Sequence, residues 1–148
     1  GLGDIFVFLF FGLATVCGGY YILTLNPVVL NALCPACAIG CFSVGVLNVN
    51  NIRDMKTDAA TRVTMAIRMG EKGSRLYQTL LIVFGWVFIT IWAAQTATSP
   101  KGFLYFITLP LYVMHVVGVW KGTGHKLDKM VPLLSISTFL LAMLTFVR

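Results

Sequence analysis

Apolar residues run almost unbroken from Ile5 to Ile52, with no charged side chain between them. A bilayer's hydrocarbon core takes about 20 apolar helical residues to cross, so this run is too long for one span and fits two. Asn26-Pro27 marks the break, with Pro free to open the next helix. Span one is therefore expected over about 5–25 and span two over about 28–51. A polar, charged loop follows over about 50–75. Span three, about 76–98, is again uncharged, Ser99-Pro100-Lys101-Gly102 reads as a tight turn, and span four covers about 103–120. A short basic loop, Lys121–Lys129, leads into span five at about 130–147. The pattern predicts an all-α integral membrane bundle of five transmembrane helices, one domain over 1–148.

Composition agrees with a chain that lives in a lipid bilayer. Of 148 residues, 58% are hydrophobic and 11% charged, where a soluble domain carries roughly 25% charged. That excludes a disordered chain, a disulfide-framed secreted module and an ordinary cytosolic enzyme. The net charge of +6 does not point to nucleic acid, which requires a solvated basic face with aromatics interleaved; no nucleic-acid partner is expected. The charges sit instead in short intervals between spans. Five spans put 1–4, 50–75 and 121–129 on one side, with Arg53, Lys56, Arg62, Arg68, Lys72, Arg75, Lys121, Lys126 and Lys129. Only Lys101 and Arg148 fall opposite, so the positive-inside rule places the rich side, and all five acidic residues, in the cytoplasm. No basic n-region marks a signal peptide, and a chain starting at Gly1 is expected to be a piece of something longer.

The chemistry concentrates where span two leaves the membrane, in Asn48-Val49-Asn50-Asn51-Ile52-Arg53-Asp54-Met55-Lys56-Thr57-Asp58. If the helix continues, Asp54 and Asp58 share one face. Two such carboxylates repel and call for a cation. Mg²⁺ fits, because it takes oxygen ligands and keeps waters and substrate phosphates around it. Arg53, Lys56, Arg62, Arg68, Lys72 and Arg75 surround the pair with positive charge, which is an arrangement for a Mg²⁺-bound diphosphate. A lone D-x-x-x-D is a weak pattern that interfacial charge also explains. Asn50 and Asn51 strengthen the metal reading, since amides at a helix end point to a polar cavity.

Three blocks carry a resemblance to a known family: Gly1-Leu2-Gly3-Asp4-Ile5-Phe6-Val7-Phe8-Leu9-Phe10-Phe11-Gly12, then Asn50–Asp58, then Arg62-Val63-Thr64-Met65-Ala66-Ile67-Arg68-Met69-Gly70. They resemble the second half of the UbiA superfamily of membrane prenyltransferases, nearest to the 1,4-dihydroxy-2-naphthoate polyprenyltransferase branch of menaquinone synthesis. The resemblance implies nine helices around a central cavity, with two aspartate motifs holding Mg²⁺ and a prenyl diphosphate. Asp54 and Asp58 match the second motif and would be the catalytic, metal-holding pair. Asn50, Asn51, Arg62 and Arg68 would contact the diphosphate, Arg62 and Thr64 matching a Lys-x-Thr and Arg68 and Gly70 an Arg-x-Gly. Thr61 stands where the family has Gly, in a linker one residue short. The first motif and the first four helices have no counterpart here, so an N-terminal half or a partner chain would complete the site. The implied reaction moves a polyprenyl group from its diphosphate to an aromatic acid in a bacterial inner membrane.

A CDP-alcohol phosphotransferase-like enzyme and a non-enzymatic channel or transporter remain open alternatives. The first lacks its longer D-G-x-x-A-R signature here, and the second would carry more ionisable residues in its spans than His115. Cys34-Pro35-Ala36-Cys37 and Cys41 read as small packing residues. His115 reads as a neutral imidazole bonded to a carbonyl freed by Pro110. Gly12, Gly18 and Gly19 suit close helix approach, and the aromatics divide between a prenyl channel, the core and lipid. Asp4, on the same side as the loop, is expected to touch the acceptor or a basic loop residue.

Overall fold

The computed structural model describes residues 1–26 and 30–145. The Pro27 opening of span two, its first residue Val28, and Val147 and Arg148 at the end of span five lie outside them. The elements are α1 (Gly3–Thr24), α2 (Leu30–Arg53), the single turn α3 (Met55–Asp58), α4 (Met65–Thr96), α5 (Leu109–Lys121) and α6 (Met130–Thr145). A 3₁₀ segment over Pro100–Thr108 leads into α5, and another over Gly124–Lys129 leads into α6. Among the described residues there is no strand, and five helical segments are long and apolar enough to cross a membrane.

α2 is the hub. Over half of its most apolar stretch (56%) is buried, against 6% for α1, and its largest interface is with α4. The shared core stacks Phe42 of α2, Trp86 of α4, Tyr105 and Tyr112. Trp86 meets Tyr112 edge-on at 5.3 Å, and Phe42 lies 5.0 Å from the same ring. These aromatics pack on one another, while Phe6, Phe10, Phe11 and Phe139 face outward, where lipid is the matching solvent. α1 reaches α2 through backbone contact. A Cβ on Gly12 would sit 2.7 Å from the Ala36 carbonyl oxygen and from Gly40 Cα, so only Gly fits this crossing. A Cβ on Gly18 or Gly19 would meet nothing within 4 Å, so no close approach requires glycine there.

The span boundaries differ from expectation in one informative place. Helix α4 begins at Met65, so 65–75 is helical and the connecting loop shrinks to the residues between Asp58 and Met65. Thr64 caps the new start, its hydroxyl accepting from the Ile67 N–H at 3.2 Å. Charged residues end a membrane span without ending a helix, which is why reading charge as loop failed here. Gly70 kinks the helix at φ 69°, ψ 176°, a region that is essentially Gly-only. Smaller shifts follow from the other ends. Leu25, at φ 53°, stops α1 one residue early, its N–H donating to the Tyr21 carbonyl at 2.7 Å. Span four extends back to Pro100 through the turn in which Gly102 N–H bonds Ser99 O at 3.0 Å.

Candidate active site

The polar end of the bundle is assembled from three segments far apart in sequence. α2 runs to Arg53 and breaks at Asp54 (φ −93°, ψ 6°), yet the hydrogen-bond ladder carries across. Asp54 N–H donates to Asn50 O and Asp58 N–H to Asp54 O, each at 2.9 Å. Asp54 and Asp58 are thus one turn apart. Each carboxylate has an arginine partner that offsets its charge. Arg53 forks onto Asp54, Nε to Oδ1 and Nη2 to Oδ2, both at 2.7 Å. Its third nitrogen, Nη1, donates to Asp128 Oδ1 at 3.0 Å. Asp58 is held by Arg62, Nη2 to Oδ2 at 2.6 Å. The Arg53 fork holds the Asp54 carboxyl below its ordinary value near 3.8. A depressed carboxyl keeps its pairing above that value and loses it as pH falls through the folded-state pKa.

Arg53, Asp54 and Thr57 line a cavity of about 420 Å³ with Gly124, His125 and Asp128 of the last loop. Asp128 and His125, themselves 3.1 Å apart, are thereby part of the site, although nothing in their own neighbourhood of sequence marks them. Asn50 and Asn51 sit on the last turn of α2, Asn51 buried and Asn50 half-buried. Arg68 is exposed on the first turn of α4, its guanidinium beside Gly1, whose amino group donates to Val63 O at 2.8 Å.

Arg75 is buried, 6% exposed, and lines a small cavity with Arg53, Lys56 and Glu71 without pairing with Asp54 or Asp58. It donates to the carbonyls of Val119, Trp120 and Gly122 at the end of α5 and to Glu71 at 2.5 Å. A cation on the last carbonyls of a helix is favourable, so Arg75 is a helix cap. Asp4 is buried beside Tyr77 of α4 and pairs with no basic loop residue, and its Oδ2 has no hydrogen-bond partner among the described residues.

Deeper in the bundle, four helices share one polar chain. Asn48 Nδ2 donates to Ser74 O at 3.0 Å and to Gln78 Oε1 at 2.9 Å. Gln78 Nε2 lies 2.9 Å from His115 Nε2, and His115 Nδ1 lies 3.0 Å from Met130 O. An amide nitrogen only donates, so His115 Nε2 accepts and Nδ1 carries the proton. The imidazole is neutral, as expected, but its carbonyl belongs to α6 and not to the turn Pro110 opens. Gln78, a lone amide in an apolar run, was the available signal for this network.

The donor chemistry fits a small hard cation. Among the described residues no three His, Cys, Asp or Glu side chains gather as a metal centre; Asp54 and Asp58 offer two carboxylates one turn apart, which suits a cation that keeps water and phosphate oxygens as its other ligands. The cysteines play no part: Cys34 and Cys37 are half-buried and Cys41 buried, all unbridged.

The model of the UbiA prenyltransferase family matches residues 1–135. Among curated relatives, the chain is 36% identical to the 1,4-dihydroxy-2-naphthoate octaprenyltransferase of Haemophilus influenzae, over 81% of this chain and 39% of that protein. It is 34% identical to that of Escherichia coli (76% and 37%) and 35% identical to that of Mycobacterium tuberculosis (90% and 44%). The chain spans about two-fifths of the length of these relatives. No solved structure matches it. With the membrane-length helices, the family match sets aside the phosphotransferase and channel alternatives: the chain belongs to the UbiA prenyltransferase family.

Proposed function

We propose that this chain supplies one side of the active site of a Mg²⁺-dependent enzyme that moves a polyprenyl group from its diphosphate to an aromatic acceptor, 1,4-dihydroxy-2-naphthoate. The observation that carries the reading is the pair Asp54 and Asp58, one turn apart at a helix end ringed by arginines, in a chain of this family. Asp54 and Asp58 hold the metal. Bound there, Mg²⁺ supplies charge neutralisation for the departing diphosphate. Arg62 and Arg68 donate to diphosphate oxygens, and Asn50 and Asn51 orient the group at the end of α2. As the allylic carbon–oxygen bond breaks, its electron pair leaves with the diphosphate, and these fixed donors stabilise the charge where it develops. The electron-rich ring of the acceptor then attacks the allylic carbon, and the attacked ring carbon gives up its substituent as a cation, a proton where it carries hydrogen, so that the ring regains its aromaticity. Ligands for the opposite face of the diphosphate come from a preceding half or a partner chain, since these residues offer one aspartate pair.

We place the polar end on the cytoplasmic face of a bacterial inner membrane, supported by the charge bias and by the way 50–75 and 121–129 meet through Arg53–Asp128 and Arg75–Gly122. One experiment addresses activity and side together. Sealed inside-out vesicles bearing the complete enzyme that contains this chain are expected to prenylate 1,4-dihydroxy-2-naphthoate from externally added polyprenyl diphosphate with Mg²⁺, and to stop when EDTA is added; vesicles bearing residues 1–148 alone should not turn over. Sealed right-side-out vesicles should remain inactive. Transfer unaffected by EDTA would reject the metal, and transfer confined to right-side-out vesicles would invert the topology.

A further inference from the structure

We infer that Arg53 is a tethered counter-cation that occupies Asp54 until a divalent metal displaces it, and that the guanidinium so released becomes a binding group for the diphosphate. The inference rests on the reading of Asp54 and Asp58 as metal ligands and concerns how that site is loaded.

The two carboxylates are not equivalent. Asp58 uses one oxygen, Oδ2, on Arg62, whose side chain is 59% exposed although Asp58's own is only 13% exposed. Its other oxygen takes no part in that contact. Asp54 uses both oxygens in a parallel fork with Arg53, whose side chain is 30% exposed. Bidentate guanidinium–carboxylate pairs are the strong ones, and less exposure means less screening. At Asp58 a cation on Oδ1 leaves the Arg62 contact intact, whereas at Asp54 it must break at least one of two bonds. The metal site is therefore half open and half gated.

The gate is anchored. Arg53 Nη1 reaches Asp128 at 3.0 Å, so a guanidinium pushed off Asp54 stays tied to the last loop. It remains at the wall of the 420 Å³ cavity it shares with Thr57 and His125. There it presents two freed N–H groups on the side from which the carboxylate has just been taken by a metal. A diphosphate arriving with that metal offers oxygens of the matching charge and spacing. Cation and anion binding are then one exchange. The carboxylate passes from guanidinium to metal, and the guanidinium passes from carboxylate to phosphate.

The test is Mn²⁺ affinity by electron paramagnetic resonance on the protein in nanodiscs, with and without inorganic pyrophosphate. Arg53→Gln is expected to bind Mn²⁺ alone at least about ten-fold more tightly than wild type, since about that much affinity is spent on breaking the fork. Pyrophosphate should then add less to its Mn²⁺ affinity than it adds to that of wild type. Arg53→Lys keeps the charge without the fork and should fall between the two. Lys56→Gln removes a neighbouring positive charge that occupies no carboxylate, and should shift Mn²⁺ affinity less than two-fold. Equal or weaker Mn²⁺ binding by Arg53→Gln, in a protein whose Asp54→Asn variant loses the site, overturns the inference and leaves the metal reading standing. Mn²⁺ binding that survives Asp54→Asn and Asp58→Asn together overturns both.

Discussion

Asp54→Asn and Asp58→Asn are each expected to lower kcat/KM for prenyl transfer by about 10²–10³-fold or more in the enzyme that contains this chain, equivalent to roughly 3–4 kcal/mol of transition-state stabilisation. Folding should survive. Asp54 is about one-third exposed and paired to a neighbouring arginine on the same helix end, and exposed pairs contribute little to stability. Asp58 is itself only 13% exposed, but asparagine keeps an oxygen of the same shape for the largely solvated Arg62. The expected signature is therefore a fall in rate that raising Mg²⁺ only partly restores, with an unchanged melting profile. If the carboxylates were interfacial charge alone, both variants would turn over near the wild-type rate at every Mg²⁺ concentration.

Arg75 should behave in the opposite way. Arg75→Met is expected to destabilise the protein by about 3 kcal/mol, because three carbonyls at the end of α5 lose their donor in a buried setting. For a chain of this size that is roughly 6–12 °C in apparent Tm. Arg75→Lys should recover only part of the loss, since one ammonium cannot span three carbonyls as a planar fork does. Residual activity at a temperature where the variant is folded should stay close to wild type. A normal melting profile with lost diphosphate affinity would return Arg75 to the basic cluster around the site.

These two residues show what one-dimensional reading reaches and where it stops. Arg75 and Arg62 are indistinguishable as positive charges in one polar interval. What separates them is the end of α5, more than forty positions further on, which folds over Arg75 and leaves Arg62 in solvent. The spans were legible because apolar length is a local property, and the family was legible from blocks that keep their own order. The start of α4 was not, because Arg68, Glu71, Lys72 and Arg75 were read as loop when they are the charged turns of a helix that has left the apolar layer. The spacing of Asp54 and Asp58 does place them one turn apart, as the backbone bond between them shows. Their partners were not fully legible: the Asp128 that ties Arg53 to the last loop is 75 positions from it. Nor was the Asn48–Gln78–His115 chain, whose members sit on three helices and meet only once α2, α4 and α5 are packed. The arginine partners were equally hidden: Arg53 serves both Asp54 and Asp128, and Arg62 serves Asp58.

The binding of a prenyl thiodiphosphate, an analogue that resists ionisation, tests the proposed site most directly. Isothermal titration into the reconstituted protein is expected to show binding with Mg²⁺ that weakens at least about ten-fold in EDTA and in both Asp54→Asn and Asp58→Asn, while Lys72→Gln, on the exposed surface of α4, leaves it unchanged. Affinity that is the same in Mg²⁺ and EDTA, and the same in the aspartate variants as in wild type, would contradict a metal-held diphosphate at the end of α2.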